Sequence, residues 1–426
     1  MDNLNYHFSS PHDEPDIDFS NYQQFTIDKG INSSQSVQFL VEGHEESLID
    51  LSQTFLKTTF RIVKDDGSTL PATASVFPTE SYGVSLWSQA SVSLNNAPLA
   101  PTNDYPYTGH VMELVGASPE ARGMVQKTIG GFQMPNYKGS QIKFALKGSY
   151  LAAKNTFKQS KPVTIYNRIY SDFMTSCSQY LPNKMQLGIT LTRSKDAFVL
   201  GTDGNSAAFK IDIMAVSLYV KRVYLNKPAR LMLESSLSNG GKLQYQRLQT
   251  VVYPCAKGSQ SWNWHNCFSG LVPRRVFLVL VSQEAYYGSL KRTSMYLESG
   301  GVSSVRFCVD GREVMAEPYS SSFSYDADGK VDTDKSNATS AYAGFTRTIG
   351  CFSAPRDYMG VEYKNYIDGS TIFGVALDHA ASPRPIPGSF DTHIDFSVPT
   401  TEAYMVIMVG EYPKTIAFDQ NRNLIY

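Results

Sequence analysis

Alternation with a period of two is the hydrophobic pattern that recurs along this chain. In residues 86–96, Ala90, Val92 and Leu94 alternate with Gln89, Ser91 and Ser93 and run into Asn95-Asn96. That pattern predicts a half-buried antiparallel strand ending in a hairpin turn. Short runs of the same kind occur at 36–41, 55–63, 185–192, 211–223, 276–281, 302–309, 404–409 and 416–418, the second of them closed by the Asp65-Asp66-Gly67 turn. Their length and β-branched content favour strands over helices. Helical signals are few. The best is residues 118–126, where Ser118 is a cap, Pro119 opens the first turn and Glu120 sits by the positive end of the dipole, so one short helix is expected there. Residues 1–20 are polar and rich in Asp and Pro, which predicts a flexible acidic arm, with folded structure starting near Tyr22.

Three pairs of segments repeat in the same order, and a duplicated unit constrains the whole architecture. Ser34-Gln35-Ser36, ahead of residues 51–63, matches Ser259-Gln260-Ser261, ahead of residues 271–281, at a spacing of 225 (260 minus 35). The strand and turn from Ala90 to Asn96 match those from Val305 to Gly311 at a spacing of 215 (310 minus 95). Pro182-Asn183-Lys184-Met185-Gln186-Leu187-Gly188-Ile189 matches Pro387-Gly388-Ser389-Phe390-Asp391-Thr392-His393-Ile394 at a spacing of 205 (387 minus 182). The drift implies loops of unequal length. With the arm at 1–20, the pairs predict a first unit at 21–226 and a second at 227–426, with the junction near Asn226-Lys227-Pro228.

Composition supports a β-rich chain large enough for two cores. It has 426 residues, 42% hydrophobic and 12% aromatic, with 30 glycines and 21 prolines to serve turns. A formal net charge of -1 argues against a dedicated DNA-wrapping protein. The early part of the chain is also acidic, since Asp2, Asp13, Glu14, Asp16 and Asp18 all precede the first basic residue, Lys29. Five cysteines form an odd set with no Cys-x-x-Cys, which predicts neither a zinc site nor a disulfide framework and suits a reducing interior. No stretch approaches the roughly 20 apolar residues of a membrane span, so a soluble, unsecreted protein made inside the cell is expected.

Candidate chemistry is sparse. Gly-x-Ser-x-Gly, His-Glu-x-x-His, Walker and Gly-x-Gly-x-x-Gly patterns are all absent, and the seven histidines are scattered, with His44, His110, His265, His379 and His393 isolated. No enzyme, cofactor or metal is predicted. Trp262 and Trp264 form the densest aromatic feature, and period-two spacing puts both on one sheet face, as core filling or as a subunit contact. They are the interface candidates. The acidic loop from Asp326 to Asp334 lacks the closing Glu of a calcium loop and reads as a solvated hairpin tip. Asn32 and Asn337 open glycosylation patterns that matter only in a secreted protein.

Several blocks in register carry a family resemblance. Val37-Gln38-Phe39-Leu40-Val41-Glu42-Gly43, Leu48-Ile49-Asp50-Leu51-Ser52-Gln53-Thr54 and the run from Leu86 to Asn95 resemble the first half of the double jelly-roll major capsid proteins of polinton (Maverick) and adintovirus-type DNA elements. Leu271-Val272-Pro273-Arg274-Arg275-Val276, Ala285-Tyr286-Tyr287-Gly288-Ser289, Val309-Asp310-Gly311-Arg312-Glu313-Val314 and Phe418-Asp419-Gln420-Asn421-Arg422-Asn423-Leu424-Ile425-Tyr426 resemble the second half in the same order. The resemblance runs from about Gln35 onward. It implies an all-β chain of two tandem eight-stranded antiparallel jelly-roll β-sandwiches with a few short helices. It further implies a structural major capsid protein of the virion, whose homotrimers form pseudo-hexameric capsomers. These would tile an icosahedral shell around double-stranded DNA, contacting neighbouring capsomers, penton and minor capsid proteins, and the packaged DNA only indirectly. The alternatives are a non-enzymatic carbohydrate- or cell-binding β-sandwich, or a capsid-derived protein domesticated by a host.

Overall fold

The computed structural model describes residues 16–27, 31, 35–119, 155–202, 209–326, 331–352, 359–377 and 386–425. Ten strands precede residue 226: β1 (Ile17–Ile27), β2 (Ser36–Val41), β3 (Ser47–Lys64), β4 (Val76–Pro78), β5 (Trp87–Leu94), β6 (Ala97–Pro98), β7 (Val163–Arg168), β8 (Leu187–Arg193), β9 (Leu200–Thr202) and β10 (Phe209–Leu225). Eight of them make two antiparallel sheets, in the orders β1-β10-β3-β7 and β2-β8-β5-β6, while β4 and β9 form a separate short pair. The sheets face each other across alternating side chains: in β2 Val37, Phe39 and Val41 are buried while Ser36, Gln38 and Leu40 are exposed.

The same order then recurs. The later strands are β11 (Gly241–Cys255), β12 (Ser261–Trp264), β13 (Leu271–Val272), β14 (Arg275–Ser282), β15 (Val302–Val309), β16 (Arg312–Glu313), β17 (Tyr319–Ser320), β18 (Phe373–Ala376), β19 (Ile386–Pro387), β20 (Phe390–Phe396), β21 (Tyr404–Phe418) and β22 (Leu424–Ile425). Their two large sheets run β11-β21-β14-β18 and β12-β20-β15-β16, with β22 and β17 as additions. Position for position, this repeats the first unit. Taking the eight principal strands of either unit in chain order, the sheets read 1-8-3-6 and 2-7-4-5, which is a jelly roll. The expected pair of tandem β-sandwiches is therefore present.

All three repeated segments fall on equivalent strands. The carbonyl of Gln35 takes the Arg193 amide and that of Gln260 takes the Phe396 amide, both at 2.9 Å. Asn95 and Asp310 each open a two-residue hairpin turn, β5 to β6 and β15 to β16. The third match is shifted. Leu94 pairs with Leu187 and Val309 with Phe390, so the equivalence there is 203 (390 minus 187) and not 205. A slip of two keeps every side chain on its own face, so alternation alone could not detect it.

Other expectations need correction. Residues 17–20, read as part of the arm, are the first part of β1. The helix expected at 118–126 lies outside the described residues beyond Pro119, and a helix not foreseen, Tyr105–Gly116, precedes it. That helix is buried on nearly every side, so it shows no 3.6-residue stripe. A second, Lys227–Ser236, joins the units. Its N-cap is Asn226, whose side chain accepts the Ala229 amide at 2.9 Å, and Pro228 stands in its first turn. The buried apolar side chains of both units form one continuous cluster.

Candidate assembly interface

The two jelly rolls are tied together along a polar seam, and its best-defined knot sits where three segments noted in the sequence meet. Arg422, 2% exposed, has a left-handed backbone (φ 68°) that turns its guanidinium inward. One terminal nitrogen donates to Asn183 Oδ1 and to Glu234 Oε2, both at 3.2 Å, and the other to the Gln420 carbonyl at 3.0 Å. Asn183 donates to Glu234 Oε1 at 2.6 Å, Lys184 reaches the same oxygen at 3.3 Å, and Asn95 Nδ2 donates to the Arg422 carbonyl at 2.6 Å. Glu234 is on the joining helix. Burial alone would raise its carboxyl, but the bonds from Asn183 and Lys184 and the charge of Arg422 outweigh it and hold Glu234 below its usual value. A buried guanidinium needs such partners, because an unpaired one would be costly.

A second knot is aromatic. The Tyr107 and Tyr286 rings stack at 5.6 Å and 14°, and the Tyr286 hydroxyl donates to Asp104 Oδ1 at 2.7 Å. Burial raises the Asp104 carboxyl, with the Tyr286 bond opposing. Beside them lies a cavity of about 190 Å³ lined by Asp104, Tyr107, Lys195, Phe198, Tyr286 and Tyr287. At a third point the helix Asp172–Ser176 rests on β11, where Ser176 Oγ donates to the Gln246 carbonyl at 3.0 Å and accepts the Gln246 amide at 2.8 Å. Asp172, 3% exposed, has its carboxyl pushed up to about 6 by burial, against the pull of the Phe173 amide and Arg247.

The tryptophan pair separates into two roles. Trp262 is 7% exposed and its indole N–H donates to the Pro254 carbonyl at 3.0 Å, so it is held within its own unit. Trp264 is half-buried and stacks on Tyr253 at 4.1 Å. The two indoles lie 6.1 Å apart at 16°, on one face as the period-two spacing predicts. Of the histidines, three are not isolated: His110 is buried, with Nδ1 3.1 Å from Ser81 Oγ, which also donates to Glu113 at 3.0 Å, and the His265 and His393 rings meet edge to face at 5.8 Å. His7, His12 and His379 lie outside the described residues, as do Asn32 and residues 327–330 of the acidic loop. Asn337 accepts the Thr339 amide at 3.1 Å. None of the five cysteines is in a disulfide. Among the described residues no group of three or more His, Cys, Asp or Glu is placed to hold a metal, and no helix is long and apolar enough to cross a membrane.

The outer faces of the duplicated sheets differ. In the second unit β14 is buried from Val276 to Ser282 and β21 from Tyr404 to Tyr412, on both faces. The helix Thr339–Thr348 lies against β17 and β18 there, so closely that a Cβ on Gly374 would stand 2.9 Å from Thr348 Oγ1. The first unit has no such cover among the described residues. Its outer face carries Phe55, stacked on Tyr219 at 5.1 Å and flanked by Tyr22 at 5.6 Å and Tyr166 at 6.1 Å, with Tyr22 49% and Tyr166 39% exposed.

No protein-family model matches the chain. Among curated proteins it is similar to an uncharacterized protein of Caenorhabditis elegans, F54H12.2, with 21% identity over 415 residues covering 91% of this chain and 92% of the relative. Among solved structures it is similar to a chain in the cryo-EM structure of the Sputnik virophage (TM-score 0.62, 12% identity, 98% of this chain and 89% of that one). The PBCV-1 virus capsid (TM-score 0.52, 9% identity, 98% and 100%) and the mavirus major capsid protein (TM-score 0.51, 8% identity, 95% and 89%) are also similar. At these identities the likeness concerns the fold, and it extends over nearly the whole of each chain. The chain has the double jelly-roll fold of viral major capsid proteins.

Proposed function

We propose that the protein is a structural major capsid protein that trimerises into pseudo-hexameric capsomers of an icosahedral shell around a double-stranded DNA genome. The observation that carries this reading is the fixed pairing of two topologically identical sandwiches in one chain. Three such chains present six similar units, and six similar units pack in a near-hexagonal lattice. A firm trimer with weaker lateral contacts would then close a shell by multivalency, with no residue needing special chemistry. On this reading the units divide at Asn226-Lys227, the first beginning with β1 at Ile17, Trp264 with Tyr253 supplies one contact patch, and penton and minor capsid proteins complete the virion. The resemblance of the segments quoted above supports assigning the chain to the polinton and adintovirus-type lineage.

A second reading has its own support. The similar protein of Caenorhabditis elegans belongs to an animal, which favours a capsid-derived protein kept in a host genome. Both readings keep assembly as the activity. Light scattering and electron microscopy of the purified chain test it: trimers of hexagonal outline are expected, and a chain that stays monomeric at every concentration and ionic strength would overturn it.

A further inference from the structure

We propose that the open outer face of the β1-β10-β3-β7 sheet is the docking surface for the acidic stretch preceding β1 of a neighbouring copy of this chain. The inference rests on the assembly reading above and names the contact that one copy would make with the next. Three observations carry it.

The first is the unequal treatment of a duplicated surface. In the second unit this face is buried, its edge strand β18 under the unit's own helix Thr339–Thr348 and β11 under first-unit helices at Thr108 and Ser176, whereas the first unit leaves the corresponding face to solvent among the described residues. A half-exposed cluster of four aromatic rings is a large apolar area to leave wet, and such patches mark contacts.

The second is charge. Lys57 stands 5.9 Å from the centre of the Tyr166 ring, Lys221 donates to Gln53 Oε1 at 2.8 Å, and Arg168 is exposed at the end of β7. None of the three has a carboxylate partner among the described residues. Of the two acids beside these groups, Asp212 is paired with Arg61 at 2.8 Å, and Asp50, opposite Lys221, is buried with one oxygen accepting from Ser52 and Gln53. The exposed positions of the surface are therefore basic and aromatic. The stretch before β1 is its complement, with Asp2, Asp13 and Glu14, no Lys or Arg, and Leu4, Tyr6 and Phe8 to cover rings.

The third is reach, which for Asp13 and Glu14 selects a neighbouring copy over the same chain. The Asp16 carbonyl accepts the Asn226 amide at 2.9 Å, so the stretch leaves the sheet at the Ile17 end of β1. Lys57 is opposite Ser217, and Ser217 is opposite Thr26, ten residues further along β1. At about 3.3 Å per residue that separation is roughly 33 Å, whereas Asp13, three residues before Asp16, reaches only about 10 Å. Asp13 and Glu14 cannot touch Lys57 of their own chain. From a neighbour set against that face they can.

The test uses the full chain, natural-abundance and ¹⁵N-labelled, mixed before assembly and treated with a zero-length carbodiimide that joins carboxylates to lysine amines. Peptides linking Asp13 or Glu14 to Lys57 are expected, with mixed-isotope pairs as abundant as same-isotope pairs. The double variant Lys57→Glu/Lys221→Glu is expected to lose them, and adding Asp13→Lys/Glu14→Lys to that variant is expected to restore linkage with the polarity reversed. Same-isotope links only, or none, would overturn the proposal. So would loss of single-stranded DNA binding in the double variant with no such links in the native chain, because the face would then serve nucleic acid. Light scattering on each sample separates the failures: intact trimers without mixed links sink this contact alone, while a monomeric native chain sinks the assembly reading with it.

Discussion

Asn95 and Asp310 perform the same task 215 positions apart. Each has a left-handed backbone, φ 48° and 50°, at the first place of a two-residue hairpin turn, and each side-chain oxygen accepts an amide from just before the partner strand, β8 or β20: Gln186 at 2.7 Å and Ser389 at 2.8 Å. Asn and Asp tolerate this conformation because their short polar side chains bond locally. Asn95 has one duty more, since its amide also donates to the Arg422 carbonyl. Asp310→Asn is therefore expected to leave stability nearly unchanged. Asn95→Asp keeps the acceptor but loses the donor, at a cost of about 1 kcal/mol. Urea denaturation of the two variants checks the asymmetry, and equal losses would refute it.

The clamp at Arg422 makes a second prediction. Arg422→Met removes a buried cation from Asn183 and Glu234, and is expected to cost about 2 kcal/mol and to speed amide exchange in residues 419–425. The Glu234 carboxyl is held below its unfolded value, so its contribution is present above that unfolded value and fades as pH falls through the folded one. The difference between wild type and variant should accordingly shrink in acid. A gap that widens below pH 4 would count against the pairing.

Asp172 has the opposite sign. Burial lifts its carboxyl to about 6, so between the ordinary carboxylate value and 6 the folded protein holds a proton that the unfolded chain has lost. Stability from this group is greatest in acid, falls as pH rises toward 6, and the ionised form costs about 3 kcal/mol at neutral pH. Asp172→Asn should remove this slope between pH 4 and 6.5, whatever its effect on absolute stability. Thermal melts of both proteins across that range are the check, and parallel curves would contradict it.

Gly344 tests how the helix Thr339–Thr348 packs on β17. A Cβ there would lie 2.2 Å from the buried Tyr319 ring, so Gly344→Ala must push the helix Thr339–Thr348 away from β17. The expected cost is about 2 kcal/mol, with new binding of a hydrophobic dye as the contact between the helix and β17 opens. Unchanged stability and dye binding would mean that the helix does not pack tightly on β17.

The duplication was legible because strand alternation and turn residues are local. Ala90 to Asn96 and Val305 to Gly311 carry the same signal and adopt the same hairpin. The slip from 203 to 205 was not legible, since a period of two cannot register it. Trp262 and Trp264 were placed correctly on one face, but only side-chain packing distinguishes the indole tied to Pro254 from the one left half-open. Arg422 lay within a recognised block without any hint of its role. Its partners Asn95 and Asn183 are 327 and 239 positions away, and nothing in local sequence reports a meeting across such distances.

The extra bond made by Asn95 also limits how the gene could be rearranged. Asp310 has no N–H in its side chain, so the repeat yields one socket, in the first copy, and one plug, Arg422, in the second. The halves are homologous but not interchangeable. A chain built from two copies of either half would keep both jelly rolls and lose the latch between them, so the divergence of the repeats is itself part of what the sequence encodes.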